Sequence, residues 1–130
     1  ILNVKLKYLD KWLEEKNKLA SIYNKELGNF VLTPKYNKEI KHSYYVYVIR
    51  SKNRNKLQEF LKKQEIETVI HYPIPLHLQP ALSYLGHKEG DFPVAEKLAK
   101  EILSIPMYAE LKESDQDKVI NAIKSFNKNN

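Results

Sequence analysis

The sequence predicts a small α+β domain, with a long N-terminal helix and a short sheet that helices cover mainly on one face. Three observations support this fold class. Apolar residues recur every three or four positions over residues 1–27, which is the spacing of an amphipathic helix. Two short segments in the middle of the chain are rich in β-branched and aromatic residues, as strands are. Two further segments with helical spacing follow towards the C-terminal end.

The predicted N-terminal helix spans residues 1–28, and Gly28 is suited to end it. Its apolar stripe consists of Leu2, Leu6, Leu9, Leu13, Ala20, Tyr23 and Leu27. Because the pattern is already under way at Ile1 and only Asn3 could cap it, we expect the natural helix to begin upstream. Other apolar residues lie off this stripe and indicate a second buried side that contacts something outside the chain: Val4, Tyr8, Trp12 and Ile22.

A strand–helix–strand unit is predicted next. Its first strand, Tyr44–Arg50, is apolar on both alternating faces, as an interior strand would be. Asn53 or Asn55 can cap the helix that follows, and Glu67–Ile70 is predicted as the second strand. The connection is long enough to return the chain parallel to the first strand, while an antiparallel return along a different edge stays open.

The last third of the chain is predicted to contain two helices. Asp91 is placed to cap the first, and Pro106 to stop it, with Leu103–Ile105 as a candidate third strand. Ser114 and Asp117 resemble a capping box at the start of the second.

Residues 70–80 contain three prolines, which fix the backbone angle φ and remove three amide donors. The segment is therefore predicted to be a stiff, largely extended loop. Its polar side chains could form hydrogen bonds to a ligand: His71, Tyr72, His77 and Gln79. On the residues alone, a purely structural connector is an equally good interpretation. A metal site is not favoured, because zinc needs three or four ligands with local spacing and the chain has no cysteine.

Composition limits the class of protein. A length of 130 residues with 42% apolar content suits one domain, or a piece of one. The lack of cysteine excludes a disulfide framework and a thiol nucleophile, and is compatible with the cytosol. No apolar run approaches the roughly 20 residues that span a bilayer, so we expect a soluble chain with no membrane partner.

The formal net charge of +6 does not indicate nucleic-acid binding. The lysines alternate with acidic residues, as on solvated helix faces, and no nucleic-acid-binding motif accompanies them. A positive charge is compatible with a small ligand that carries phosphate.

Five segments in order resemble the C-terminal part of sugar aminotransferases of the DegT/DnrJ/StrS type. They are residues 6–10 with Tyr23-Asn24, HSYYVYVIR at 42–50, TVIHYPIPLHLQP at 68–80, GDFPVAE at 90–96 and LSIPMY at 103–108. The five segments together cover nearly the whole chain. Their occurrence in this order is specific evidence for the resemblance, whereas a single segment would be weak evidence. Tyr45 departs from the family, because many relatives have a second histidine in this strand.

The resemblance implies that residues 29–130 are the C-terminal small domain of a fold-type I enzyme that uses pyridoxal 5'-phosphate, and that the first helix links its domains. Such an enzyme converts a keto sugar nucleotide into an amino sugar nucleotide, normally with glutamate as amino donor. It is expected to be a cytoplasmic homodimer. The family's cofactor lysine, the aspartate at the pyridine nitrogen and most of the phosphate-binding residues do not map onto this chain. The cofactor is therefore expected in the full-length enzyme only, and the fragment alone is expected to be inactive.

The resemblance also implies a role for the proline-containing loop. The family segment that matches it approaches the sugar nucleotide, so His71 and Tyr72 are predicted to contact the sugar or the diphosphate, together with His77 and Gln79. The sequence is most similar to enzymes that aminate C3 of dTDP-3-oxo-6-deoxyhexoses, followed by those acting on UDP-3-oxo sugars. A stand-alone binding or oligomerisation module without catalytic activity is the alternative.

Overall fold

The computed structural model describes residues 2–35, 39–40 and 42–128, and these residues form a mixed helical and sheet structure. The predicted α+β class is confirmed. Helices α1 to α5 and strands β1 and β2 run in the order α1 (Leu2–Leu6), α2 (Leu9–Leu27), β1 (Tyr47–Arg50), α3 (Arg54–Lys63), α4 (Pro93–Glu101), β2 (Ile102–Ile105) and α5 (Glu113–Lys128). Two short 3₁₀ turns, Leu76–Leu78 and Pro80–Leu85, lie between α3 and α4.

The two strands pair antiparallel, in register from Tyr47 with Ile105 to Arg50 with Ile102. Single bridges extend the pair on both sides, from Leu32 to Arg50 and from Val69 to Ser104. Since Val69 runs antiparallel to β2, and β2 antiparallel to β1, the chain at Val69 runs in the same direction as β1 but is separated from it by β2.

Both predicted central strands are shorter than expected. Tyr44–Arg50 is reduced to Tyr47–Arg50. Tyr44 has φ of 41°, which is incompatible with an extended strand, and Tyr45 and Val46 form a bend. Glu67–Ile70 forms one bridge and no strand. Pro73 and Pro75 follow shortly afterwards and cannot donate to a ladder. The predicted third strand, by contrast, is present as β2.

The hydrophobic core lies on one face of the strand pair. Tyr47 and Ile49 of β1 and Leu103 and Ile105 of β2 point to this face and are buried. Three helices cover it with buried side chains, namely Tyr23 and Leu27 of α2, Leu57 and Leu61 of α3, and Val119, Ile120 and Ile123 of α5. The prediction that helices cover mainly one face is therefore confirmed. Successive residues of a strand face opposite sides, so Ser104 points away from this core.

The long N-terminal helix is present but interrupted, since Lys7 and Tyr8 form a turn between α1 and α2. Its buried residues begin at Leu19, whereas Leu2 is 76% exposed. Gly28 follows the last helical residue as predicted, but with right-handed helical angles. Ile1, where the predicted helix starts, lies outside the described residues.

Two helix starts also differ from the predictions. Helix α4 begins at Pro93 and gives way to β2 at Ile102, well before Pro106. Asp91 accepts a hydrogen bond from the Lys88 amide and does not cap α4. Helix α5 begins one residue before Ser114.

Buried polar side chains connect these elements. The Tyr23 hydroxyl donates to the Pro106 carbonyl at 3.0 Å, and the Tyr47 hydroxyl donates to the Asn24 side chain at 2.7 Å. Gln116 of α5 donates to the Leu19 carbonyl at 2.8 Å. These bonds fix α2 against the sheet and α5 against α2. Within the described part of the chain, none of the helices is long and apolar enough to traverse a membrane.

Burial of Tyr23 and Tyr47 predicts a loss of stability at high pH. Burial, followed by the electrostatic influence of neighbouring tyrosines, raises the pKa of both phenols far above the ordinary value of 10.0. The unfolded chain releases these protons near pH 10 and the folded chain does not, so their stabilising contribution is complete below that pH and is lost as the pH rises.

We expect Tyr47→Phe to reduce stability at neutral pH by about 1 kcal/mol, because it loses the bond to Asn24. It should also make stability less dependent on pH above 10, as measured by denaturant unfolding.

Tyr45→Phe is the matched control, because Tyr45 is 85% exposed. It should leave both quantities unchanged. An identical pH dependence in Tyr47→Phe and the unsubstituted protein would contradict the expected behaviour of this phenol.

Candidate functional site

The proline-containing loop, residues 70–80, begins at the edge of the sheet, where Ile70 still packs against the core. The Val69–Ser104 bridge places its first residues beside β2. The loop is less extended than predicted, because Leu76–Leu78 forms a 3₁₀ turn, whereas Pro75 and Gln79 on either side have extended values of ψ. The bridge thus fixes the start of the loop to β2.

His71 is half-buried and borders a cavity of about 480 Å³. Its Nδ1 lies 2.9 Å from the hydroxyl of Ser104. The same cavity is lined by three acidic residues, Glu65, Glu67 and Asp115, and by Tyr108 and Lys118. A histidine held by one ring nitrogen at the wall of such a cavity can offer its other nitrogen to a ligand.

Tyr72 is 74% exposed and borders a second hollow of about 370 Å³. This hollow is mostly apolar, with Leu98 of α4 and Ile102 of β2 in its wall. The His71–Tyr72 peptide bond is cis, and the two rings meet edge to face with centroids 5.7 Å apart. The structure therefore brings these two predicted site residues together, although each faces a different hollow.

The other two predicted residues hold the loop together. His77 is almost fully buried, packs on Phe92 with ring centroids 4.7 Å apart, and donates from Nε2 to Glu96 at 3.0 Å. Gln79 donates to the carbonyl of Ile74 at 3.1 Å and lines the hollow beside Tyr72. His77 thus lies apart from the cavity that His71 borders.

Glu96 joins the proline-containing loop to the segment before α4. It accepts the amide hydrogens of Gly90 at 2.9 Å and Phe92 at 3.2 Å as well as the bond from His77. Burial by itself raises the pKa of Glu96, but the donors from Gly90, Phe92 and His77 outweigh it and hold the pKa below its ordinary value. The carboxylate is therefore charged at neutral pH.

Sequence reasoning missed Ser104 and Glu96. The sequence indicates which face each residue lies on, but not its partner. Ser104 lies between Leu103 and Ile105 in a predicted strand, so alternation places it on the other face from its apolar neighbours. Glu96 lies three residues before Ala99 and so shares an inward face of the predicted helix.

The described residues do not by themselves fit a pyridoxal phosphate site. A cofactor lysine is a desolvated amine, and every described lysine is exposed or half-buried. Among the described residues, moreover, no group of three or more acidic or histidine side chains is arranged to hold a metal ion. The arrangement suits binding and orientation of a ligand through hydrogen bonds.

Comparison with known proteins identifies the family. Residues 1–124 match the model of the DegT/DnrJ/EryC1/StrS aminotransferase family. The chain is 48% identical to the pleiotropic regulatory protein of Geobacillus stearothermophilus, over 97% of this chain and 35% of that one. It is 32% identical to the dTDP-3-amino-3,6-dideoxy-alpha-D-galactopyranose transaminase of Aneurinibacillus thermoaerophilus, over 97% of this chain and 34% of that one.

A solved structure supports the same conclusion. A DegT DnrJ EryC1 StrS aminotransferase from Brucella abortus superposes with a TM-score of 0.92 and 37% identity, over 98% of this chain and 34% of that one. The chain thus spans about a third of the length of the relatives it matches.

Glu96→Gln tests the junction at Glu96. We expect a lower melting temperature at neutral pH, because the buried acceptor of three donors loses its charge. The low pKa also means that Glu96 stabilises the fold above its unfolded pKa of 4.5, and that this contribution is lost as the pH falls through the lower folded value. The variant should therefore lose less stability than the unsubstituted protein on acidification, as measured by thermal unfolding from pH 7 to pH 3.

Glu110→Gln removes the same charge from an exposed residue and serves as the control. If both variants showed the same melting temperatures at every pH, the junction at Glu96 would have no role in stability.

Proposed function

The chain belongs to the DegT/DnrJ/EryC1/StrS aminotransferase family, and on that premise we propose that it is the C-terminal part of a pyridoxal-phosphate-dependent transaminase of nucleotide sugars. The reaction would convert a keto sugar nucleotide to its amino sugar, with glutamate as donor. The observation that carries the proposal is the family match over residues 1–124, within which the proline-containing loop presents His71 at a cavity.

The substrate we propose is a dTDP-3-oxo-6-deoxyhexose, with a UDP-3-oxo sugar as the second choice. The transaminase of Aneurinibacillus thermoaerophilus, whose name specifies a dTDP-linked 3-amino sugar, supports the first. The net charge of +6 is compatible with a diphosphate ligand. An amino sugar of this type suits the biosynthesis of surface polysaccharides such as O-antigen.

We propose that His71 and Tyr72 contact the sugar or the diphosphate, because each carries a polar side chain and lines a hollow. His77 and Gln79, which the sequence also suggested as contacts, are proposed to act by shaping the loop. The side chains of both already form hydrogen bonds within the chain, that of His77 to Glu96 and that of Gln79 to the Ile74 carbonyl.

The rest of the enzyme is proposed to lie outside this chain. Pyridoxal phosphate would be held there, since no described lysine is buried. The exposed apolar side chains of α1, which include Leu2, Val4 and Leu6, suit contact with that part of the enzyme. We propose a cytoplasmic homodimer as the working form, and we expect these 130 residues alone to be inactive.

One observation favours a second candidate, a regulatory or binding module without catalysis. The relative at 48% identity is named a pleiotropic regulatory protein. The visible spectrum of the purified full-length protein separates the two candidates. A transaminase is yellow from its bound cofactor and should consume the keto sugar nucleotide when glutamate is supplied, whereas a colourless and inactive protein would favour the module.

His71→Ala in the full-length protein tests the proposed contact. We expect the KM for the nucleotide sugar to rise about 10- to 100-fold, because a hydrogen bond to a charged phosphate oxygen is lost. The melting temperature should fall modestly, because the buried hydroxyl of Ser104 loses its partner while His71 itself is only half-buried.

His87→Ala is the matched control, because His87 lies in the exposed turn beside Asp91. It should leave the KM unchanged. A KM that is equally unaffected in His71→Ala would exclude His71 as a substrate contact.

A further inference from the structure

Ser104 is bonded both to Val69, the residue before the proline-containing loop, and to His71 within the loop. Its backbone amide donates to Val69 at 2.8 Å and its carbonyl accepts from Val69 at 3.1 Å. Its hydroxyl lies 2.9 Å from Nδ1 of His71. One residue of β2 therefore fixes the backbone two residues before His71 and also the ring of His71.

The direction of the bond between Ser104 and His71 follows from burial. Ser104 is 7% exposed, and among the described residues Nδ1 of His71 is the partner of its hydroxyl. A buried hydroxyl left without an acceptor is unfavourable, so the hydroxyl donates and Nδ1 accepts. In a neutral imidazole the proton then resides on Nε2.

We propose that Ser104 is a positioning residue that holds His71 as the Nε2–H tautomer, and that this N–H donates to an oxygen of the sugar diphosphate. The ligand in this inference rests on the proposed function. Nε2 has no hydrogen-bond partner in the described part of the chain, and His71 lines the 480 Å³ cavity, so the donor is available to a ligand there. Through Ser104, β2 would thereby make His71 a hydrogen-bond donor, so that the loop favours ligand groups that accept hydrogen bonds.

The tautomer can be measured without any ligand. In full-length protein labelled with [¹⁵N]histidine, two-bond proton–nitrogen correlation spectra distinguish a protonated from an unprotonated Nδ1. We expect His71, whose signals are those absent in His71→Gln, to show an unprotonated Nδ1. Ser104→Ala should shift it towards a mixture of tautomers, and Ser104→Thr, which retains the hydroxyl, should restore the original pattern. A protonated Nδ1 in the unsubstituted protein, or an unchanged pattern in Ser104→Ala, would overturn the proposal.

Binding of dTDP and of UDP, each titrated by calorimetry, tests the consequence for the ligand. Ser104→Ala should weaken binding about 3- to 10-fold, as expected for one hydrogen bond that acts indirectly, and Ser104→Thr should bind normally. In a His71→Gln background, Ser104→Ala should cause no further loss, because the glutamine amide donates without help from serine. An equal loss in both backgrounds would show that Ser104 acts only on the structure.

The two proposals can fail separately. If the unsubstituted protein bound neither dTDP nor UDP, the diphosphate ligand and the proposed nucleotide-sugar function would both be wrong. The nitrogen spectra would still decide whether Ser104 sets the tautomer of His71. If it bound either nucleotide and Ser104→Ala bound it equally well, the proposed function would survive and the role of Ser104 would not.

Discussion

The alternation of side chains along β2 is the constraint on which the rest of this structure depends. Leu103 and Ile105 point into the core that α2, α3 and α5 build, whereas Ser104, between them, points the opposite way and holds the proline-containing loop. The packing that fixes the strand therefore also fixes the site. The loop acquires a defined position because Ser104 of β2 bonds to Val69 through its backbone and to His71 through its side chain.

A charged group on α4 has a similar role for the second half of the loop. Glu96 lies on a helix that leads directly into β2, and its carboxylate collects donors from two separate segments. A buried charge is unfavourable unless it is bonded on all sides, and here backbone amides and His77 supply those bonds. Within the described residues, the loop is thus held by the bond between His71 and Ser104 at one end and by the charge-assisted bond between His77 and Glu96 near the other.

The sequence predicted the elements better than it predicted their contacts. The fold class, the N-terminal helix and β2 could be predicted because apolar spacing and β-branched content are local signals. The roles of Ser104 and His77 could not, because their partners lie 33 and 19 positions away and no local pattern marks the pairing. The first central strand was predicted too long because the residue types at its start do not reveal the positive φ at Tyr44 or the bend that follows.

The junction at Glu96 has a consequence for protein engineering. Because one carboxylate binds Gly90, Phe92 and His77 together, the proline-containing loop and the turn before α4 are not independent modules. Replacement of the loop by that of a relative would therefore require the exchange of residues 70–96 as one unit. Exchange of the loop alone would place a histidine from another protein against Glu96, whose bonds to Gly90 and Phe92 are arranged for His77.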